Sequence, residues 1–329
     1  KSMDHAMEVE ASLHPEVKLT IHNANRQAKK QIDDIEKFIA DKVDVIIVSP
    51  FESDSIIPVI EKANAIGIPV IIVDRKVNTS NYTAYLGADN VEVGRIAGRH
   101  IVSLSKGNAN VIEIKGASYT SPGLERTMGF RQIIDQYPGV KVISIDAKKD
   151  ELPKDVFVNI LKNAPEINYV YAYNDVIAYQ AWKAAKGENS KNNIKFIGVD
   201  GGNGPNGGIQ LVKDRVLEAT VLYPTGGSEA IRLALNIVHK EIVPKNNKLN
   251  TTLIDSLNAD IMGNQFDKIT IQQSDIEQQQ SIIKSQEEKY SSQNNLLKLL
   301  FSLFILTLGL AVFSIYSRIT ISRKKKELE

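Results

Sequence analysis

Residues 68–76, IPVIIVDRK, contain the pattern from which the fold is inferred. Their apolar run from Val70 to Val73 is typical of a strand that is covered on both faces. The run stops on two opposite charges side by side, Asp74 and Arg75. In parallel sheets that carry helices on both faces, ligands bind beyond the carboxyl ends of the strands. The stretch therefore predicts a buried parallel strand whose end delivers two charged side chains to a binding edge.

Apolar runs of this kind alternate with amphipathic helical patterns over much of the chain. We predict strands at residues 17–21, 43–48, 68–73, 84–86, 110–114, 140–145, 169–173, 195–199 and 218–222. One of the helical stripes consists of Ala28, Ile32, Ile35 and Ile39. The alternation predicts an α/β fold with parallel sheets, and this many strands in a chain of 329 residues favour two sheets over one.

The overall composition excludes several classes of function. Hydrophobic residues make up 43% and charged residues 24% of the chain, which indicates a globular protein rather than a disordered one. The formal net charge of +1 provides no field that would attract nucleic acid. There is no cysteine, and the five histidines are scattered without metal-ligand spacing or a serine partner. We therefore expect no disulfide, no metal or other cofactor, and no catalytic residue.

Polar side chains follow two further predicted strands. Asn174 comes after the apolar run in VYAYND, and Asp200 comes after the run in FIGVDGG. With Asp74 and Arg75 they supply what a neutral polyol needs, because carboxylates accept from hydroxyls while arginine and asparagine donate to them. Two alternatives stay open for single residues: an aspartate at a strand end often caps the next helix, and Arg75 could form a weak surface salt bridge. Two carboxylates could also serve a glycosidase, but neighbouring arginines would keep both ionised and leave no general acid.

Several longer motifs carry a family resemblance. The stretches VDVIIVSPFESDSIIPVIEKANAIGIPVIIVDRKVN, GADNVEVGRIAG, GLERTMGFRQII, YNDVIAY and GVDGGNG occur in this order. They resemble the type I periplasmic sugar-binding proteins, the ribose-binding family, over roughly residues 1–258. The resemblance implies two Rossmann-like lobes that are joined by three crossing strands and close on a monosaccharide. It places an N-terminal lobe, without its first strand, at residues 1–105 and about 225–255, and a C-terminal lobe at residues 106–224.

The same resemblance assigns the ligand-binding residues. The positions that match the family's ligand residues are Asp74 and Arg75 in one lobe and Arg126, Asn174 and Asp200 in the other. Tyr223, in ATVLYP, stands where ribose binders carry a glutamine. The resemblance therefore implies that this chain recognises sugar hydroxyls differently from ribose binders at that position.

The character of the sequence changes after residue 255. Residues 267–295 are rich in Gln, Ser, Glu and Lys and contain no Pro or Gly. An apolar or aromatic residue recurs every seven positions, at Ile269, Ile276, Ile283, Tyr290 and Leu297, and glutamine follows each of the first four after three places. This heptad predicts a connector helix at residues 256–295 that pairs weakly in a homodimer. The alternative is a solvated stalk whose spacing is accidental.

An uncharged segment follows the heptad. Residues 299–316, LLFSLFILTLGLAVFSIY, span roughly 27 Å as a helix, about the thickness of a hydrocarbon core. We predict one transmembrane helix at residues 296–317. Basic residues favour the cytoplasmic side, and those that follow are Arg318, Arg323, Lys324, Lys325 and Lys326. This predicts a single-pass protein of the inner membrane, with its large N-terminal part in the periplasm and the start of a cytoplasmic part at residues 318–329.

The order of these segments points to two functions. A sugar-binding region, a polar heptad helix and one membrane span resemble the sensor half of hybrid two-component regulators from gut Bacteroides. This resemblance implies a monosaccharide sensor, with fructose as the first candidate, that signals through lobe closure to a histidine kinase beyond Glu329. The alternative is a membrane-tethered sugar-binding component of an ABC transporter. A DNA-binding repressor of the related fold would need a helix-turn-helix and no membrane span, so no nucleic acid partner is expected.

Overall fold

The computed structural model describes residues 2–147, 151–164, 166–188 and 193–327. The chain forms two compact units, Lys1–Thr270 and Ile271–Glu329. The helices are α1 (Ser2–Ser12), α2 (Ala28–Ala40), α3 (Ile57–Ala65), α4 (Asn90–Ser105), α5 (Ser121–Ile134), α6 (Lys154–Asn163), α7 (Asp175–Gly187), α8 (Gly208–Lys213), α9 (Gly227–Val238) and α10 (Ala259–Glu327). The strands are β1 (Ile46–Val48), β2 (Val70–Val73), β3 (Ala84–Ala88), β4 (Ala109–Lys115), β5 (Val140–Asp146), β6 (Tyr169–Ala172), β7 (Lys195–Asp200), β8 (Ala219–Leu222), β9 (Asn246–Leu249) and β10 (Leu253–Asp255).

The first sheet contains the strand that the opening stretch predicts. Its order is β1-β2-β3-β9, and all neighbouring strands in it are parallel. Val70 and Ile72 of β2 pack with α2 and α3 on one face, whereas Ile71 and Val73 pack with α1 and α9 on the other. Because successive side chains of a strand point to opposite faces, a strand covered on both sides is apolar throughout. The predicted burial of β2 is confirmed, since all four of its residues are buried.

The second sheet has the order β10-β8-β7-β6-β4-β5. Its strands are parallel except for β10, which runs antiparallel to β8. The α/β fold with two sheets is confirmed, but this sheet is mixed rather than purely parallel. The sequence analysis missed β9 and β10. β9 is the polar segment NNKL and β10 has only three residues, so neither carries an apolar run, and pairing with a neighbour in the sheet defines them.

Helix α4 belongs with the second sheet, so the expected lobe boundary at residue 105 was wrong. Its residues Val93, Ala97 and Ile101 are fully buried in one core with residues of α5, β4 and β6. Close helix contact explains this placement: a Cβ on Gly94 would lie 2.0 Å from the carbonyl oxygen of Arg126 in α5. Two glycine-containing faces fit together more closely than any larger residue would allow.

The chain passes between the two sheets at three places. The passages lie between β3 and α4, between β8 and α9, and between β9 and β10. β10 therefore also lies in the second lobe, outside the N-terminal lobe expected to include residues 225–255. The three connections agree with the expected architecture of two lobes joined by three crossing segments.

Residues 17–21 do not form the predicted strand. Val17 and Leu19 pack against the core beside α1 and β2, which accounts for their apolar character. β1 ends the first sheet on this side, and no strand among the described residues forms a ladder with residues 17–21. A groove of about 340 Å³ lies between this segment and α1. Strand assignment depends on a hydrogen-bonded neighbour, and local sequence does not supply one.

The predicted connector and transmembrane helices are one continuous helix, α10. In the first unit its beginning packs on the second lobe through Ala259, Met262 and Phe266. Its later part, in the second unit, contains the uncharged segment at residues 299–316, whose side chains are exposed. By length and composition this helix is able to cross a membrane. The end of the expected cytoplasmic part, residues 328–329, lies outside the described residues.

Candidate ligand-binding cleft

The two charges after β2 lie at the cleft between the lobes, and the backbone of Asp74 is tightly held. Asp74 has a φ of 67°, its amide donates to the carbonyl of Leu86 at 3.0 Å, and its carbonyl accepts from the hydroxyls of Tyr85 at 2.9 Å and Tyr223 at 3.2 Å. A left-handed aspartate persists only where its surroundings hold it. The carboxylate, 25% exposed, takes no part in this backbone network.

Arg75 is anchored within its own lobe. Its Nη1 donates to the carbonyl of Phe51 at 2.9 Å, and its Nε lies 3.9 Å from the carboxylate of Asp74. The side chain is half-buried, so it is more than the solvent-exposed ion pair that the sequence left open as an alternative. The two charges that end β2 therefore stay in contact with each other at the rim of the cleft.

Arg126 of α5 is a buried cation at the base of the cleft, with only 5% of its side chain exposed. Its Nε donates to Oδ1 of Asn90 at 2.9 Å, and its Nη1 donates to the carbonyl of Tyr173 at 2.6 Å. The same Nη1 lies 3.5 Å from the carboxylate of Asp200. Burial alone would lower the pKa of Arg126, but the charge of Asp200 opposes this and the pKa is raised. The guanidinium is therefore a permanent donor in a dry site.

Asn90 is the residue of this network that the sequence analysis missed as a site residue. The preceding residue, Asp89, caps α4, because its Oδ1 accepts from the amide of Glu92 at 3.0 Å. Asn90 is thereby free of the capping role and lies fully buried, with its Nδ2 donating to the hydroxyl of Tyr223 at 3.3 Å. The sequence feature that could have identified Asn90 as a site residue is its place directly after a capping aspartate at a strand end, in GADN.

Tyr223 links the lobes at the hinge. Its hydroxyl donates to the carbonyl of Asp74 in the first lobe and accepts from Asn90 in the second. Its ring lies 4.7 Å from the guanidinium carbon of Arg126. Burial, reinforced by the charge of Asp74, raises the pKa of Tyr223, so its phenol remains protonated. Tyrosine thus performs, with both a ring and a hydroxyl, a bridging role at this position.

The remaining two predicted residues lie at neighbouring strand ends. Asp200 has a φ of 121° and a side chain that is 46% exposed beside Arg126. Asn174 is the N-cap of α7, where its Oδ1 accepts from the amide of Ile177 at 2.9 Å. The structure therefore brings Arg126, Asp200 and Tyr223 into one network, which Asp74 joins through its backbone carbonyl. The side chains of Arg75 and Asn174 instead bind backbone groups of their own lobes.

The rims of the two lobes touch across the cleft. Nζ of Lys76 lies 2.8 Å from Oε1 of Glu125, and the amide of Lys76 donates to Oγ of Ser121 at 2.8 Å. The rings of Phe51 and Tyr119 face each other with centroids 6.1 Å apart. Lys76 lies in the first lobe and its partners lie in α5 of the second, so these contacts hold the lobes together in a closed arrangement. The sequence carried no signal for these pairs, because the partners are far apart in the chain.

The donors and acceptors of the cleft suit binding rather than reaction. The described residues contain no cluster of three or more histidine, cysteine, aspartate or glutamate side chains arranged to hold a metal ion. A buried guanidinium next to carboxylates, an amide and a phenol offers directional hydrogen bonds in a desolvated site.

Comparison with known proteins agrees with the geometry. Residues 2–242 match the periplasmic binding protein domain. The chain belongs to this family. It is 32% identical over 233 residues to the ribose import binding protein of Bacillus subtilis strain 168, covering 70% of this chain and 74% of the relative. As a member of this family, the chain is a binding domain and not an enzyme.

Solved structures give the same fold. The fructose-binding periplasmic domain of a hybrid two-component system superimposes with a TM-score of 0.81 at 36% identity, over 85% of this chain and 94% of that one. The binding protein of an arabinose ABC transporter from Shewanella sp. ANA-3, bound to L-arabinofuranose, superimposes with a TM-score of 0.74 at 25% identity, over 83% and 93% of the two chains. The type I periplasmic binding protein fold is therefore established for this chain.

Proposed function

We propose that this chain is the periplasmic sugar-sensing part of a hybrid two-component system, with fructose as the first ligand to test. The observation that carries the proposal is the continuity of α10, which packs on the second lobe at its beginning and includes an apolar segment long enough to span a membrane. The 36% identity to a fructose-binding domain of such a system supports the same function.

The cleft network supports a sugar as the ligand. Asp74 and Asp200 provide carboxylates that accept hydrogen bonds, and Arg126 provides a charged donor group 3.5 Å from the carboxylate of Asp200. Sugar hydroxyls donate and accept at the same time, so they fit between a guanidinium and two carboxylates without leaving a buried charge unpaired. Because Asp74 belongs to the first lobe and Arg126 to the second, a ligand that contacts both stabilises the closed form.

In our proposal, signalling depends on the ligand contacting both lobes in the closed form. A ligand shifts the lobes toward closure only by binding the closed form more tightly than the open one. Micromolar affinity corresponds to about 8 kcal/mol, of which a part suffices to bias closure. In our proposal α10 carries the change through the inner membrane to a cytoplasmic histidine kinase, with the basic residues after the span on the cytoplasmic side.

The heptad supports a homodimer. Ile276 and Ile283 are two of its apolar positions, and a glutamine stands three residues after each of them at the other position of the seam. A seam that is half polar pairs weakly and changes packing easily. The chain has no cysteine, so Ile276→Cys introduces a single thiol. We expect a disulfide-linked dimer in membranes, with a yield that depends on sugar; a yield that sugar does not change would contradict signalling through this seam.

A transport role is the second candidate, and the similarity to ribose import binding proteins favours it. In that case α10 would be a tether, and the lobes would deliver sugar to a permease. A tether requires no defined pairing between helices. A heptad variant that abolishes cross-linking but leaves sugar uptake unchanged would support transport over sensing.

Isothermal titration of the purified chain in detergent tests the binding step. Fructose, ribose, galactose, glucose and arabinose are titrated into the wild type, Asp74→Ala and Arg126→Ala, with the exposed pair members Asp33→Ala and Arg99→Ala as matched controls. We expect micromolar binding of one sugar, weakened roughly tenfold or more in the two cleft variants and unchanged in the controls. A folded wild type that binds none of these sugars would contradict the proposal as stated.

A further inference from the structure

Asp175 is a buried acid directly beneath the cleft, and the binding network described above does not include it. It is the first residue of α7 and is only 4% exposed. Its Oδ2 accepts from the amide of Gly201 at 2.8 Å, and its Oδ1 accepts from the hydroxyl of Thr220 at 2.7 Å. A buried carboxylate is costly unless its oxygens are hydrogen-bonded, and both oxygens here have a donor.

The surroundings of this carboxylate are shaped to admit it. A Cβ on Gly198 of β7 would lie 2.2 Å from Oδ1 of Asp175, and a Cβ on Gly208 of α8 would lie 2.1 Å from Oδ2. No side chain fits at either position while Asp175 stays in place. The carboxylate is therefore enclosed by two glycines and by its two donors, on elements α7, β7, α8 and β8.

The bond from Gly201 acts on a ligand residue, because its amide belongs to the peptide that joins Asp200 to Gly201. The carbonyl of the same peptide, on Asp200, accepts from the amide of Tyr223 at 3.0 Å. The peptide plane is thus held at both ends: its N–H donates to Asp175 and also to Oγ1 of Thr220 at 3.2 Å, and its carbonyl accepts from Tyr223. Asp200 itself has a φ of 121°, a conformation that residues with a side chain rarely adopt. Such strain persists only where neighbouring contacts enforce it.

We propose that Asp175 is the positioning residue of the cleft: it holds the Asp200–Gly201 peptide and so directs the Asp200 carboxylate toward Arg126 and the ligand. This rests on the proposed sugar-binding function. Burial, with the nearby charge of Asp200, raises the pKa of Asp175 to about 8.

The test compares Asp175→Ala with two conservative variants in the full chain. Asp175→Ala removes both carboxylate oxygens. Thr220→Val removes, with little change of shape, one donor to Asp175 and the weaker of the two acceptors of the Gly201 amide. Asp175→Asn keeps an acceptor for Gly201. We expect sugar affinity to fall roughly tenfold or more in Asp175→Ala and to stay within about threefold of the wild type in Asp175→Asn. Equal affinity of Asp175→Ala and the wild type would overturn the proposal.

A double-mutant cycle distinguishes positioning from a general effect on stability. If Asp175 acts through Asp200, Asp175→Ala adds little further loss of affinity in a chain that already carries Asp200→Ala. A merely structural role would lower the melting temperature and leave affinity additive between the two sites. Additive losses would therefore contradict positioning.

A third measurement does not depend on any sugar, so it remains decisive if the proposed function fails. Hydrogen exchange reports the amide of Gly201, and a crystal structure of Thr220→Val or Asp175→Ala reports the φ of Asp200. We expect faster exchange at Gly201 and relaxation of Asp200 away from 121° in Asp175→Ala. An unchanged backbone at Asp200 in that variant would refute the assignment, whatever the ligand is.

Discussion

Replacing Arg126 by methionine removes the guanidinium but keeps a flexible apolar side chain of similar length. It removes the hydrogen bonds that the guanidinium donates to Oδ1 of Asn90, which is fully buried, and to the carbonyl of Tyr173, which is 9% exposed. It also removes the contact between the guanidinium and the ring of Tyr223. We therefore expect the ligand-free protein to lose stability, in addition to any loss of sugar binding.

The size of the loss follows from these contacts. Loss of each of the two hydrogen bonds from the guanidinium lowers the free energy of unfolding by about 1–2 kcal/mol, and loss of the ring contact lowers it by about 1 kcal/mol. Asp200 is 46% exposed and regains solvation from water, so it adds little. Because the substitution also relieves the desolvation of a buried cation, we take the lower end, about 3 kcal/mol. For a protein unit of this size, that corresponds to a fall in melting temperature of roughly 6–12 °C.

Scanning calorimetry of the purified chain in detergent, without sugar, measures this shift. Arg99→Met is the matched control, because Arg99 is 49% exposed and forms a surface ion pair with Glu92. Such pairs contribute at most about 1 kcal/mol, so we expect a change of less than about 4 °C. If Arg126→Met melts within about 2 °C of the wild type, the buried network does not support the fold and our reasoning about it is wrong.

Three further predictions concern the lobes and the carboxylate beneath the cleft. Lys76→Ala breaks the half-exposed ion pair with Glu125 across the cleft, and we expect sugar affinity to fall about two- to fivefold, less so at high salt, as titration at two ionic strengths would show. The pKa of Asp175 is raised by burial and then by the charge of Asp200, against the opposing charge of Arg126. Its contribution to stability is therefore fully present below about pH 4 and is lost as pH rises through about 8. Urea unfolding across this window should show a falling free energy of unfolding in the wild type and a flatter pH dependence in Asp175→Asn. Gly94→Ala places a methyl group 2.0 Å from a backbone oxygen of α5 and should lower the melting temperature by several degrees, whereas Gly187→Ala, which meets nothing within 4 Å, should not.

Local sequence pattern was enough to predict most strands and the long apolar helix. A strand that is buried on both faces requires a continuous apolar run. For this reason β2 and most of the other strands were predicted near their observed bounds. The charges at the end of β2 and the residues Arg126 and Asp200 were predicted from motifs, and the long apolar helix from composition. Each of these features requires particular residue types at neighbouring positions in the chain, and that information is readable without coordinates.

Contacts between residues that are distant in the chain became known only from the folded structure. Asn90 joined Arg126 because Asp89 took the capping role, and Asp175 came to lie beneath Asp200 because two glycines on other elements left room for it. The side of the cleft on which α4 packs, and the unpaired state of residues 17–21, likewise depend on partners distant in sequence. A hydrogen bond or a close helix contact is a property of two segments at once, so neither segment's sequence contains it.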